Sequence, residues 1–301
     1  MKLGVLLLNY LRKRKNLMQV NSTNTPFITW APPGHFYSPL PSYDDVISHG
    51  GEFFANAKQD LYGINLNVDT QLQLLEQFQS YYNDLPFHDE KTKELRYYYK
   101  NDFYSYGDAI ILYSFIRHLK PNRIIEVGSG FSSAVMLDTN DLFFNGSIEF
   151  KFIEPYPDRL LSLITQKDTI KLIQQQVQNM DAEHFMQLKS NDILFIDSSH
   201  VSKFGSDVNF LIFQVLPQLN QGVYVHFHDI FYPFEYPKSW YMEGRCWNEA
   251  YLLRAFLQHN DSFEIVYWNN YIFNFHFETM LRKLPLTANN SGGSIWLRKV
   301  K

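Results

Sequence analysis

The chain has 301 residues, 45% of them hydrophobic, and a formal net charge of −4. That length and apolar content support one large domain, or one domain with a sizeable N-terminal extension, around a substantial core. The acidic balance argues against a nucleic-acid binder, and the single cysteine, Cys246, excludes a disulfide framework or a cysteine-rich zinc site and suits a reducing, cytoplasmic setting. Residues 1–15 carry an apolar stretch followed by a basic cluster. The stretch is too short for an integral membrane segment and has no cleavage signature, so a short amphipathic helix is expected, docked or loose, with a weak membrane-surface contact as the alternative. Residues 21–45, rich in Pro, Ser, Thr and Asn, read as irregular chain whose aromatic density predicts packing. A helix is expected over 70–82, where Leu72, Leu75, Phe78 and Tyr82 fall at helical spacing, and another over 106–119.

From residue 123 onward the chain alternates. Strands are expected over 123–127, 148–153, 170–176, 192–197, 222–227, 262–267 and 293–299, and helices over 131–139, 157–166, 182–188, 207–216 and 247–259. Strands separated by helices mean parallel βαβ units and a doubly wound α/β sheet covered on both faces. Ligands of such sheets bind beyond the carboxyl ends of the strands, near the switch point. Residues that end strands therefore carry the functional weight.

The first strand runs into Glu126-Val127-Gly128-Ser129-Gly130. Gly128 and Gly130 remove side chains where the backbone bends and a ligand comes close. Ser133 stands where the dinucleotide fingerprint has its third glycine. A carboxylate at Glu126 would repel a pyrophosphate and attract a ligand carrying ammonium and sulfonium charges, which favours S-adenosylmethionine over NAD. Glu154, closing the second strand, stands where such folds place the acid that accepts hydrogen bonds from ribose hydroxyls.

Strand four ends at Asp197 and continues Ser198-Ser199-His200, and strand five ends at His228-Asp229. Three readings stay open. Asp197, His228 and Asp229 converge on Mg²⁺ or Mn²⁺, which acidifies a bound hydroxyl. Alternatively His200 or His228 acts directly as general base, or Asp197 caps a turn and the histidines satisfy backbone groups. Alternation puts His226 on the face of His228 but deeper, as a satisfied core histidine. The aromatic segment 230–247 reads as a loop that walls off a substrate or anchors itself through Trp240 and Trp247, with Arg245 and His35 as further substrate contacts.

The segments Ile-Ile-Glu-Val-Gly-Ser-Gly-Phe-Ser-Ser, Phe-Ile-Glu-Pro, Ile-Leu-Phe-Ile-Asp-Ser-Ser-His and Val-His-Phe-His-Asp-Ile resemble a class I S-adenosylmethionine-dependent methyltransferase, most closely the methyltransferase domain 24 family. The resemblance implies a Rossmann-like, mostly parallel seven-stranded sheet with its last strand antiparallel. It also implies a methyltransferase domain over 101–301, preceded by a capping extension over 1–100. The turn with Glu126, Gly128, Gly130 and Ser132 would hold the methionine part of the cofactor, Glu154 the ribose, and Gln178, Asn179 and Asp181 the adenine. Asp197 and Asp229 match acids that bind a divalent ion in some relatives. The implied reaction is methyl transfer to an oxygen of a small-molecule or sugar acceptor, by a monomer or a homo-oligomer. A nicotinamide-dependent oxidoreductase, a cofactor-binding protein without turnover and a metal-dependent hydroxylase are the rivals.

Overall fold

The computed structural model describes residues 30–48, 61–165, 168 and 170–301, so the expected helix of residues 1–15 lies outside them. The chain divides into two units, Met1–Asn56 with Pro237–Cys246 and Ala57–Tyr236 with Trp247–Lys301. In the first, residues 43–48 are helical and Trp30 stacks on Tyr37 with ring centroids 5.6 Å apart.

The second unit opens with α1 (Val68–Tyr82) and α2 (Tyr106–Leu119). Against the boundary expected at residue 100, residues 61–100 belong to the same unit as the sheet. The reason is apolar: Leu75 and Phe78 of α1 are fully buried, and Phe78 meets Phe115 of α2 edge-on at 4.9 Å. Helix α2 is buried almost all round, as expected of a helix with apolar residues on every face. It ends at Lys120, in the left-handed region at φ 48°, just before Pro121.

Then follow β1 (Arg123–Val127), α3 (Phe131–Phe144), β2 (Glu149–Ile153), α4 (Asp158–Leu163), β3 (Lys171–Ile173), β4 (Ile193–Ile196), α5 (Asp207–Phe210), β5 (Tyr224–His228), α6 (Glu249–Leu257), β6 (Phe263–Trp268), α7 (Asn269–Phe275), α8 (Phe277–Lys283) and β7 (Ser294–Lys299). The seven strands form one sheet in the order β3-β2-β1-β4-β5-β7-β6. Strands β1 to β5 pair in parallel, and β7 runs antiparallel between β5 and β6. This is the expected doubly wound α/β sheet.

Some elements depart from the expected bounds. The helix expected over 182–188 is a single 3₁₀ turn, Ala182–Phe185. The one expected over 207–216 starts as α5, widens to a π turn over Leu211–Val215 and tightens to 3₁₀ at Leu216–Gln218, where Pro217 lacks an N–H. β3 is shorter than the expected 170–176 because it lies at the sheet edge and pairs only with β2. Among the described residues no helix is long and apolar enough to cross a membrane.

Strand order reverses between β1 and β4, the switch point where ligands bind. Register makes that edge level: Val127 pairs with Ile153 and with Ile196, and Ile196 pairs with Phe227. One step beyond these residues the chain therefore presents Gly128, Glu154, Asp197 and His228 side by side.

Candidate active site

A cleft of about 380 Å³ opens at that edge, lined among others by Gly128, Glu154, Tyr156, Gln178, Asp197 and Lys203. Main-chain groups build it. Asp197 N–H donates to the Val127 carbonyl at 2.8 Å, Gly128 N–H to Ile153 at 3.0 Å, and Ser129 N–H to the Glu154 carboxylate at 3.1 Å. Tyr156 N–H reaches the other oxygen of Glu154 at 2.7 Å. Only glycine serves at 128: its φ is +80°, and a Cβ there would stand 2.0 Å from the Asp197 carbonyl oxygen. That close approach joins the turn after β1 to the acid after β4.

Glu126 does not meet the expectation placed on its charge. It is fully buried, and its two oxygens accept hydrogen bonds from Ser132, at 2.5 Å, and from Ser133. Burial pushes its carboxyl up to about 8, so the charge meant to attract a cationic ligand is largely absent at neutral pH. Glu126 instead ties β1 to the first turn of α3, and Ser132 is turned inward with it. Gln178 lines the cleft. Asn179 lies in the 3₁₀ turn Val177–Asn179, and Asp181 caps the next turn by accepting from Glu183 N–H at 3.1 Å; neither is on the cleft lining.

Beside the cleft lies a charged cluster centred on the buried His200. Its Nε2 is 3.3 Å from Asp197 and 3.8 Å from Asp229, and its Nδ1 is 2.9 Å from Glu249. Glu249, at the start of α6, also accepts from Ser198 Oγ at 2.8 Å. The first N–H groups of α6 complete the anchor, since Asn248 and Glu249 both donate to the His200 carbonyl at 3.1 Å. The Trp247 ring packs on the imidazole with centroids 4.3 Å apart. His200 and Asp229 both take left-handed backbone, at φ 59° and 57°, a conformation costing about 1–3 kcal/mol that persists where surroundings over-determine it. Burial opposes a charged His200, but its bonds to Asp197 and Glu249 raise its pKa well above the ordinary imidazole value. Burial likewise raises Asp197, yet His228 and His200 bring it below the usual carboxylate range.

His228 sits at the same edge, with Nε2 3.5 Å from Asp229 and its ring 5.2 Å from Tyr104. Burial disfavours its charge, whereas Asp229, Asp197 and Asp108 together raise its pKa. His226 lies on the same face and deeper, as alternation required, but it is packed rather than satisfied. Its ring stacks on Phe195 at 3.9 Å, and neither nitrogen has a hydrogen-bond partner among the described residues. Burial pushes its pKa well below the ordinary value, which keeps it neutral.

The divalent ion expected between Asp197, His228 and Asp229 does not fit this arrangement. Among the described residues no three His, Cys, Asp or Glu side chains are placed to share a cation. The His200 imidazole already faces both acids.

The sequence reading missed Glu249, Asp108 and Ser198. Asp108, in the first turn of α2, is buried and accepts from Gly293 N–H at 3.1 Å and from Asn269 at 3.2 Å; burial pushes its carboxyl up to about 6. Neither Asp108 nor Glu249 ends a strand, and an acid in a first helical turn is ordinary. The second unit holds all of these groups. Arg245 and His35 belong to the other unit, where Arg245 pairs with Glu243 at 2.9 Å and the His35 ring packs on Phe36 at 4.4 Å.

Comparison with known proteins gives three kinds of likeness. A family described as methyltransferase domain matches residues 125–230. An uncharacterized protein of Archaeoglobus fulgidus is 40% identical over 166 residues, 54% of this chain and 75% of that protein. Among solved structures, the SAH-bound Podospora anserina methyltransferase PaMTH1 aligns at a TM-score of 0.42 and 15% identity, over 87% of this chain and 98% of its own. An apo structure of CmcI aligns at 0.43 and 17% identity, over 74% and 84%.

Proposed function

Because the chain belongs to the methyltransferase-domain family, we propose that it transfers a methyl group from S-adenosylmethionine to an oxygen of a small-molecule or sugar acceptor. One observation carries the reading: level strand ends bring Gly128, Glu154 and Asp197 to a single cleft. S-adenosylmethionine, when bound, supplies an electrophilic methyl on a sulfonium. The chain's own groups do the rest. The Glu154 carboxylate is oriented by two backbone N–H groups, which leaves lone pairs for ribose hydroxyls. The bare backbone of Gly128 allows close approach of the ligand, and Gln178 stands at the adenine side. Asp197, charged at neutral pH, lines the cleft with Glu154, and we place it against the acceptor hydroxyl, where it accepts the O–H hydrogen bond and so directs a lone pair of the reacting oxygen toward the methyl. His200, facing carboxylates with both nitrogens, is not placed to serve as the general base; His228 is the imidazole left for that task. A cytoplasmic setting and a partner other than nucleic acid belong to the same reading, from the lone cysteine and the net charge of −4.

Calorimetry of the full chain with S-adenosylhomocysteine and with NAD tests the cofactor. Binding of the first and not the second is expected, and the reverse would overturn the proposal in favour of an oxidoreductase. Incubation with S-adenosylmethionine and a panel of hydroxylated small molecules and sugars tests turnover. Formation of S-adenosylhomocysteine with an O-methylated product is expected; binding without product would leave a cofactor-binding protein.

A further inference from the structure

We propose that the imidazole of His200, anchored by Glu249, stands where a divalent cation would otherwise bridge Asp197 and Asp229, so that this site works without a metal. The functional half of this statement rests on the methyl-transfer reading; the structural half does not. Two carboxylates that face one region repel unless a proton or a cation lies between them. Here Nε2 of His200 lies 3.3 Å from one and 3.8 Å from the other. A metal–oxygen bond is about 2.0–2.6 Å, so an ion bound to both acids would compete for the space this nitrogen fills.

The ring cannot easily leave. Glu249 holds Nδ1 at 2.9 Å, Trp247 covers the imidazole face, and α6 grips the His200 carbonyl through two N–H groups. Glu249 is 1% exposed and His200 5%, so neither group can turn to solvent instead. Carboxylates only accept, and a ring with carboxylates at both nitrogens satisfies both contacts only by donating from each. His200 and Glu249 are therefore positioning residues: they set where Asp197 points without touching the substrate.

Titration of the full chain with Mn²⁺ alone, read by electron paramagnetic resonance, tests this. The wild type should show no saturable binding up to about 1 mM, the weak end of oxygen-ligand sites. His200→Ala should open the gap and bind Mn²⁺ about tenfold or more tightly than that limit, and adding Asp197→Asn should abolish the gain. Saturable wild-type binding that Asp197→Asn removes would overturn the proposal, as would a folded His200→Ala variant that gains nothing. Should His200→Ala fail to fold, ¹⁵N spectra of the wild type decide: protons on both His200 nitrogens support the bridge, and a bare Nε2 overturns it. Calorimetry with S-adenosylhomocysteine on the same samples keeps the two readings apart. Its failure in the wild type removes the methyltransferase assignment while leaving the Mn²⁺ result to stand or fall alone. If the cofactor binds and turnover exists, that turnover should be unchanged by EDTA.

Discussion

The cleft and the charged cluster lie at the same sheet edge and are built in opposite ways. The cleft is assembled largely from main-chain groups of strand ends: Val127, Gly128 and Ser129 bond directly to the end of β2 and to the residues just after β2 and β4. The cluster is assembled from side chains, with His200 after β4, Asp229 after β5, Glu249 on α6 and Asp108 on α2. Main-chain geometry tolerates most side-chain exchanges, whereas a buried charge that loses its partner is strongly destabilising. The first region should therefore govern ligand affinity and the second the integrity of the edge. Asp197 and Ser198 belong to both.

The largest loss of stability is expected at Glu249. Truncation by Glu249→Ala leaves the His200 Nδ1–H and the Ser198 hydroxyl without their acceptor in a buried place, at an expected cost of about 3–5 kcal/mol in urea denaturation. If the protein remains folded, its affinity for S-adenosylhomocysteine should stay close to wild type; a large loss of affinity would show that the two regions are not separable. Gly128→Ala should cost somewhat less stability, about 2–4 kcal/mol, from backbone strain and the clash with the Asp197 carbonyl. It should also abolish cofactor binding, because the clash lies inside the cleft.

Glu154→Ala should act on the cleft alone. It should weaken S-adenosylhomocysteine by about 1–3 kcal/mol, the range for losing a charged hydrogen-bond acceptor, and leave Mn²⁺ behaviour unaltered. Unchanged affinity would remove Glu154 from the site.

The smallest expected effect concerns pH. Glu126 keeps its proton in the folded chain up to about 8, whereas the unfolded chain releases it near the ordinary value of 4.5. The native state therefore binds more protons between those values, and this group's contribution to stability declines as pH rises through that window. Glu126→Gln should change stability near pH 6 by about 1 kcal/mol or less and flatten that decline. His200 adds to the alkaline loss: its raised pKa stabilises below the ordinary imidazole value, and the contribution disappears as pH rises through the folded value. Asp197 acts at the acid end, where its lowered pKa gives stability that is lost as pH falls through the folded value. Asp229, Glu249 and His228 are the other ionisable groups that face His200. A melting temperature independent of pH from 5 to 9 in the wild type would contradict the alkaline loss assigned to Glu126 and His200.

Local pattern was enough to read α2 with its observed bounds, to place all seven strands within a few residues and to single out Gly128, Glu154 and Asp197. The physical reason is that burial of a parallel strand writes a continuous apolar run, and the chain at its end must turn toward the ligand edge. Local pattern was not enough for Glu126, whose direction depends on Ser132 and Ser133 folding back over it. Nor did it reach the partnership of His200 with Glu249, two residues that meet only because α6 packs its first turn against the loop after β4. Strand periodicity and turn chemistry act over a few residues and so belong to the sequence. The charge state and orientation of a buried group depend on whatever the fold packs around it, and that was decided only by the tertiary structure.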